Sequence, residues 1–213
     1  MKIGIIIRFH YKEDDEKFPF RFQHFKNNVL PRIRNQSFKD FSINVWCNPW
    51  HEQLFKDLGV NTFQGVDKTS YKYFAKKDIY FFHDFITFEE TTGLEKFDLQ
   101  LGLDSDDYIH EDYVKIIVDE VEKHKKKFPN KSLHLCFLPE LLRLKTNKVE
   151  HLRNYSTEKG SAFMALYQPV KDNYRFIYEE SHMSIIRRAD IQKVLPKGYC
   201  WACAHDFNES TGK

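Results

Sequence analysis

One stretch constrains the fold of this chain more than any other: an apolar strand pattern that runs directly into a cluster of carboxylates. Residues 97, 99, 101 and 103 are Phe or Leu and alternate with other residues, which is the two-residue period of a β-strand. The sequence Asp104-Ser105-Asp106-Asp107 follows at once. The chain must therefore place several acidic side chains where a buried strand ends.

A helix is predicted immediately after these carboxylates. Val114, Ile117, Val118 and Val121 recur at helical spacing, and the lysines near residue 125 suit the negative end of the helix dipole. In open α/β sheets, ligands bind outside the carboxyl ends of the strands. The strand, the acidic turn and the helix therefore indicate a ligand site at this turn.

Asp104 and Asp106 are candidate ligands of a divalent cation. Carboxylate oxygens are hard ligands, and Mg²⁺ or Mn²⁺ held by one or two of them commonly bridges to ligand phosphates. An EF-hand is excluded, because Ile109 and Lys115 stand where that loop requires Gly and Glu. The alternative interpretation is an acidic turn that only caps the following helix.

The first third of the chain has the pattern β-α-β-α-β. Strands are predicted at 3–9, 41–47 and 60–63, with helices at 22–33, where Pro31 should kink the helix, and 54–58. Such alternation predicts a parallel sheet. Neither a Gly-x-Gly-x-x-Gly fingerprint nor a P-loop is present, so a dinucleotide site of the usual kind is excluded.

The remaining elements are less regular. Helices are predicted at 71–85 and 189–195, and strands at 133–137, 161–167, 174–178 and 183–187. A hairpin is predicted from 141–145 and 149–153. Residues 1–213 contain neither a linker nor an internal repeat, so we expect one domain, cut from a longer polypeptide.

Composition excludes several classes of protein. The net charge is +2 and no basic stripe is interleaved with aromatic residues, which argues against a nucleic-acid partner. No apolar run approaches the length of a membrane span. The N-terminal apolar run is too short for a signal peptide, so we expect a cytoplasmic protein whose four cysteines are reduced.

Taken together, this order of elements resembles the GT-A glycosyltransferases, in particular the family-2-like group of rhamnosyltransferases. The resemblance covers essentially the whole chain, and its most specific part is Leu103-Asp104-Ser105-Asp106-Asp107-Tyr108, which is similar to the family's Asp-x-Asp motif. It implies an α/β, GT-A-like, three-layer fold with a central mixed, mostly parallel sheet flanked by helices.

The resemblance also implies roles for the acidic residues. Asp106 would bind Mn²⁺ or Mg²⁺, Asp104 would contact the ribose or the metal, and Asp107 would assist. The family's late Glu-Asp pair corresponds to His205-Asp206 here. Asp206 is then the candidate general base, and His205, which departs from the family pattern, is a candidate third metal ligand or a surface histidine.

For the nucleotide, the resemblance points to the strand ends of the first half. Arg8, Phe9 and Asn48 follow strands 1 and 2, and Ser105 lies between the two motif aspartates. Arg8 could hold a phosphate. Phe9, Trp46 or Trp50 could stack on the base, or each could be a core residue instead. A second polar cluster, residues 178–182, could border the acceptor site or form a charged loop.

The function implied by the resemblance is sugar transfer. We expect a metal-dependent glycosyltransferase that moves rhamnose or glucose from a UDP- or dTDP-linked donor to a glycan or glycoprotein acceptor with inversion, although retention stays open. The alternatives are a nucleotidyltransferase of similar topology and a non-catalytic, metal-dependent carbohydrate-binding module.

Overall fold

The computed structural model describes residues 1–9, 15–65, 74–76, 79–81, 86–143, 148–150, 163–169, 174–179 and 189–204. Its strands, in chain order, are β1 (Ile3–Phe9), β2 (Ser42–Cys47), β3 (Asn61–Gly65), β4 (Phe74–Lys76), β5 (Ile79–Phe81), β6 (Thr91–Thr92), β7 (Leu99–Asp104), β8 (Tyr108–Ile109), β9 (Leu133–Phe137), β10 (Glu140–Arg143), β11 (Lys148–Glu150), β12 (Met164–Tyr167), β13 (Ile191–Leu195) and β14 (Cys200–Ala204). Its α-helices are α1 (Phe18–His24), α2 (Leu30–Arg34), α3 (Glu52–Lys56) and α4 (Tyr113–Lys127).

Eight of the described strands form the central sheet, in the order β13-β9-β12-β7-β1-β2-β3-β6. The pairs β7–β1, β1–β2, β2–β3 and β13–β9 are parallel, whereas β12 is antiparallel to both of its neighbours and β6 is antiparallel to β3. The sheet is mixed and mostly parallel, as predicted.

The two faces of this sheet are covered differently. Ile5, Ile7 and Phe9 on β1 pack in a core with the apolar faces of α1 to α4. Ile6 points the other way, because side chains alternate along a strand. It packs in a second core, which the described irregular segments near Phe97 and Phe176 cover.

Residues 18–34 form one continuous helical run despite Pro31. A π-helical turn, Phe25–Val29, joins α1 to α2 and lies directly before the proline. Pro31 cannot donate a backbone hydrogen bond, and its ring clashes with a regular preceding turn. The wider π-helical turn accommodates both effects, so the helical run is not interrupted at Pro31.

A small second sheet, in the order β11-β10-β14-β8, places the last described strand beside the acidic turn. Cys200 and Trp201 of β14 pair with Ile109 and Tyr108 of β8, which follow the carboxylates at once. The predicted hairpin at 141–153 is confirmed where the structure describes it, because β10 and β11 pair antiparallel.

The predicted helix at 71–85 is wrong in its described part. Phe74–Lys76 and Ile79–Phe81 form a two-stranded antiparallel sheet in which Ala75 is opposite Tyr80. The aromatic and β-branched residues of this segment favour extended backbone, and they also gave the helix-like spacing.

Two further element predictions are wrong. Residues 191–195 form β13, an edge strand parallel to β9, rather than part of a helix, since pairing with β9 outweighs local preference. Residues 174–178 are irregular rather than a strand. Two glutamine side chains hold this segment: Gln168 accepts a hydrogen bond from the Arg175 N–H, and Gln100 accepts one from the Ile177 N–H. The predicted strand at 183–187 lies outside the described residues.

Candidate active site

The candidate site lies at the carboxyl edge of the central sheet, where β1, β2 and β7 end side by side. Because these strands are parallel and adjacent, their last residues meet at one edge. Arg8 is in register with Asp104 on one side and with Trp46 on the other, and Asn48 follows β2 directly. The structure therefore brings together Arg8, Asp104 and the residue that follows β2, as the sequence predicted.

A tight turn holds the acidic cluster. The Asp107 N–H lies 3.4 Å from the Asp104 carbonyl oxygen, which closes the turn over Ser105 and Asp106. Asp104 is half-buried, whereas the other three residues of the turn are buried. Asp104 is thus the most accessible of the three carboxylates.

Asp107 has a structural partner. Its Oδ1 atom accepts a hydrogen bond of 3.0 Å from the Cys203 backbone N–H, which ties the turn to β14. Burial raises the pKa of the Asp107 carboxyl well above its ordinary value, and the nearby charges of Asp106 and Asp104 raise it further. The side chain predicted to assist metal binding is therefore a buried link between the turn and β14.

Asp106 is held by helix α1. Its carboxylate forms an ion pair with the Arg21 guanidinium, and the two residues are 6% and 7% exposed. His24, one turn further along α1, places Nε2 3.2 Å from the Asp106 carbonyl oxygen. Both the side chain and the backbone of Asp106 are thus fixed by the same helix.

Tyr178 fills the space behind Arg8. Its hydroxyl lies 3.1 Å from the carbonyl oxygens of Ile6 and Leu103, so it bridges β1 and β7. The Arg8 guanidinium carbon lies 5.8 Å from the centre of the Tyr178 ring, a cation–π distance. Burial raises the pKa of the Tyr178 hydroxyl, Asp104 raises it further and Arg8 opposes both effects, so the two charged groups flank this ring.

The three aromatic candidates for stacking on the base differ in their exposure. Phe9 is fully buried and its ring packs edge-on against Phe18, Phe25 and Phe55. The prediction that Phe9 contacts the nucleotide is therefore wrong for this arrangement: the ring is a core residue because β1 turns it towards the helices. Trp46 is also buried. Trp50, in the 3-10 turn after β2, is 46% exposed and is therefore the accessible one of the three aromatic candidates.

The donor set suits a hard divalent cation in part. Asp104 and Asp106 offer carboxylate oxygens two residues apart, which fits Mg²⁺ or Mn²⁺ completed by water and phosphate. Among the described residues, no three His, Cys, Asp or Glu side chains converge as they would in a preformed cage. Arg21 already contacts Oδ2 of Asp106, so a cation that binds both aspartates would have to share this carboxylate with the guanidinium or displace it.

His205 and Asp206 lie outside the described residues, as do residues 180–182 of the second polar cluster. Within that cluster, Glu179 accepts a hydrogen bond of 3.3 Å from the Phe176 N–H, so its carboxylate caps a turn.

A groove of about 730 Å³ lies at the opposite edge of the sheet, where β1, β2 and β3 begin. Lys2, Ser42, Asn61, Glu52 and Lys56 are among its lining residues. It contains none of the predicted site residues. Because open α/β sheets bind ligands at the carboxyl edge, we assign the site to the acidic turn rather than to this groove.

The sequence analysis missed Arg21 and His24, the two residues that hold Asp106. Their signal is a polar stripe, since Arg21, His24 and Asn28 recur at i, i+3 and i+7 within an aromatic helix. Polar residues at helical spacing on a segment this apolar indicate a face turned towards polar partners.

None of the described helices is both long enough and apolar enough to span a membrane.

The solved structures similar to this one include several of the S. aureus protein TarS. S. aureus TarS 1–349 in complex with UDP-GlcNAc matches with a TM-score of 0.57 at 15% identity, covering 100% of this chain and 61% of TarS 1–349. The same protein in complex with UDP matches with a TM-score of 0.57 at 15% identity, covering 96% of this chain and 61% of the other. This chain thus spans about three fifths of TarS 1–349, and the likeness confirms the GT-A-like fold.

A search of curated protein sequences finds no significant match. A family model described as "Putative rhamnosyl transferase" matches residues 6–213, nearly the entire chain. The match confirms the resemblance drawn from the acidic motif and from the order of elements. The chain belongs to this family of glycosyltransferases.

Proposed function

We propose that this protein is a metal-dependent, inverting glycosyltransferase that transfers rhamnose or glucose from a UDP-linked donor to a glycan or glycoprotein acceptor in the cytoplasm. One observation carries the proposal: Asp104 and Asp106 lie in a turn at the carboxyl end of β7, with Arg8 of β1 in register beside Asp104. The solved TarS complexes with UDP and UDP-GlcNAc support a UDP-linked donor.

Different residues at this edge would bind different parts of the donor. Asp104 and Asp106 would hold Mn²⁺ or Mg²⁺, which neutralises the diphosphate leaving group as the glycosidic bond breaks. Arg8, in register with Asp104, would pair with the same diphosphate, because a guanidinium pairs well with phosphate oxygens. Asn48 and Trp50 follow β2 at the same edge, where the amide would bind the nucleoside and the exposed indole would stack on its base.

Transfer then needs a base for the acceptor. We assign this role to Asp206, which would take the proton of the acceptor hydroxyl as that oxygen bonds to the anomeric carbon and the nucleoside diphosphate leaves. Cys203, three residues earlier in the chain, bonds through its N–H to Asp107 of the acidic turn. That link between β14 and the turn supports placing Asp206 in the site, and His205 beside it is the candidate third metal ligand.

Calorimetric titration of UDP tests the metal and nucleotide site. We expect UDP to bind more tightly with Mn²⁺ than without it, and we expect Asp104→Asn and Asp106→Asn to abolish this gain. Asp119→Asn is the matched control, because Asp119 is an exposed residue of α4 paired with Lys115. UDP binding that ignores Mn²⁺ would contradict the metal role. Binding of free glycan without any nucleotide would favour a carbohydrate-binding module.

The base assignment makes a separate prediction. Asp206→Asn should lower kcat by about 10²- to 10⁴-fold, because the acceptor hydroxyl loses its proton acceptor. UDP binding with Mn²⁺ should stay near that of the unsubstituted protein. Steady-state sugar transfer and calorimetry measure the two effects, with Glu179→Gln, at the turn-capping carboxylate, as the comparison. If Glu179→Gln lost more kcat than Asp206→Asn, the assignment would be wrong.

A further inference from the structure

The ion pair between Arg21 and Asp106 is built into the fold. Both residues are more than nine-tenths buried, and Arg21 lies on α1, whose first core contact is Phe18. His24 of the same helix contacts the Asp106 backbone at 3.2 Å. The helix therefore holds the Arg21 guanidinium against this carboxylate.

A guanidinium and a divalent cation cannot share this carboxylate easily. Both bind carboxylate oxygens at short range, and two positive charges in one buried site repel each other strongly. Burial also removes the water that would stabilise each charged group, so each of them needs an oppositely charged partner. A cation that binds Asp106 would therefore compete with Arg21 for this carboxylate, and a further negative group beside them would relieve the competition.

The donor's diphosphate supplies that group. A phosphate oxygen that shared a cation with Asp106 would lie within about 4 Å of the carboxylate, because Mg²⁺ binds each oxygen ligand at about 2.0–2.1 Å. This is the neighbourhood that the Arg21 guanidinium already occupies. Phosphate oxygens accept guanidinium hydrogen bonds in the same forked geometry as a carboxylate.

We propose that Arg21 is an internal competitor of the divalent cation at Asp106, and that it transfers to the diphosphate when donor and cation bind together. The inference rests on the proposed function. It makes cation and nucleotide binding cooperative: the cation alone must break an ion pair, whereas the cation with a diphosphate exchanges one partner of Arg21 for another.

Titration of Mn²⁺ by electron paramagnetic resonance, without nucleotide, tests the competition. We expect Arg21→Met to bind Mn²⁺ about tenfold more tightly than the unsubstituted protein, since the competitor is gone. We also expect UDP to improve Mn²⁺ affinity less in this variant. Equal or weaker Mn²⁺ binding by a folded Arg21→Met protein would overturn the proposal.

Arg32→Met is the matched control. Arg32 lies on the next segment of the same helical run and places its guanidinium 4.0 Å from the Tyr108 ring centre. The substitution removes the same charge close to the same turn, but the Arg32 guanidinium contacts the Tyr108 ring and the Asn28 carbonyl oxygen rather than Asp106. Tighter Mn²⁺ binding by both variants would mean that net charge, not competition at Asp106, sets the affinity, and would also overturn the proposal.

A second measurement covers the case in which Arg21→Met does not fold. In the unsubstituted protein, the side-chain N–H resonance of Arg21, assigned by comparison with Arg21→Lys, should shift as Mg²⁺ is added and shift again with UDP. A resonance unchanged at saturating Mg²⁺ would exclude displacement. Absence of Mn²⁺ binding with and without UDP in every variant would overturn the metal part of the proposed function as well. UDP-enhanced binding that is equal in all variants would remove only the role of Arg21.

Discussion

At the scale of single residues, the acidic turn shows how neighbours of one chemical type acquire different roles. Asp104 ends a strand and stays half-buried, Asp106 is paired with Arg21, and Asp107 is buried against the Cys203 N–H. The differences come from what packs on each carboxylate rather than from the carboxylates themselves. Burial and partners, not residue type, therefore decide which acid remains available to a ligand.

Tyr178 makes a testable contribution through its hydroxyl. Tyr178→Phe removes the hydrogen bond to the carbonyl oxygens of Ile6 and Leu103, so we expect a loss of about 0.5–1.5 kcal/mol in the free energy of unfolding. Urea denaturation measures this. Tyr199→Phe is the comparison, at a half-buried tyrosine whose ring contacts His110 and Phe137. Equal losses in the two variants would contradict the bridging role.

Cys47 should make stability depend on alkaline pH. The pKa of its thiol is raised from 9.0 to about 12, mainly by burial and also by the charge of Glu52, with Lys56 opposing both. Because the pKa is higher in the folded state, the neutral thiol contributes fully to the free energy of unfolding below pH 9.0. This contribution is lost as the pH rises towards 12.

Urea unfolding of the unsubstituted protein and of Cys47→Ala at several pH values tests this. The stability difference between them should be constant below pH 9.0 and should shrink above it. The other thiols that titrate are common to both proteins, so the difference isolates Cys47. A difference that grows with pH would contradict the prediction.

Some single-residue features could be predicted and others could not. The period of two before Asp104 and the acids after it are local, so the sequence sufficed to place the turn at a strand end. The pairing of Arg21 with Asp106 joins residues 85 positions apart. No local sequence pattern predicts this pairing, although the polar stripe on α1 indicates which face of the helix has polar partners.

At the scale of elements, the helical run 18–34 and the residues just after it make a series of contacts with the acidic turn and with the segment that leads into α4. His24 contacts the Asp106 backbone, Arg32 lies on the Tyr108 ring, and Gln36 follows at the end of the run. Next, the Ser37 hydroxyl donates to the Asp112 carboxylate at 2.6 Å. These contacts follow the order of both segments, so the run supports the turn along its length.

Gln36 is the strongest link in this series, because its buried amide bonds two backbone groups that follow the acidic turn, besides the Arg32 carbonyl oxygen of its own run. Its Nε2 donates to the His110 carbonyl oxygen at 2.7 Å, and its Oε1 accepts from the Val114 N–H at 3.0 Å. Gln36→Leu leaves both without that partner, so we expect destabilisation of about 2–4 kcal/mol in urea unfolding. Gln53→Leu, at an exposed glutamine bonded to Asp57, should change stability by less than about 0.5 kcal/mol. Similar losses in both variants would contradict this role.

Two of the elements that were predicted wrongly share a cause. Residues 191–195 and 174–178 have ambiguous local patterns, and each takes the conformation that its distant partner provides: β9 for the first, and the side chains of Gln100 and Gln168 for the second. Helix α4 was predicted because its apolar stripe has the full helical period over 15 residues. Short segments without such a period depend on partners that the sequence does not name.

At the scale of the whole molecule, the parallel half of the sheet was predictable and the antiparallel insertion was not. The alternation of strands and helices over residues 3–65 implies a parallel sheet. Strand β12, however, inserts between β7 and β9, neither of which is its neighbour in sequence. Only long-range pairing decides this order, so the fold was supported from sequence mainly by the family resemblance.

The strand order itself predicts where the molecule is most stable. Strand β1 is bonded on both sides, to β7 and β2, and lies in the two cores. Among the described strands, β13 is bonded only to β9, and it exposes Gln192, Lys193 and Val194. In hydrogen exchange followed by mass spectrometry, peptides over β1 and β7 should exchange only by global unfolding. The β13 peptide should exchange by local opening, which has a lower free energy. The same peptides from unfolded protein correct for intrinsic rates. A β13 peptide as protected as β1 would contradict its place at the sheet edge. Slow exchange at β1 and β7 would mean that Arg8 and Asp104 extend from the least mobile part of the sheet, as preorganised binding of a diphosphate requires.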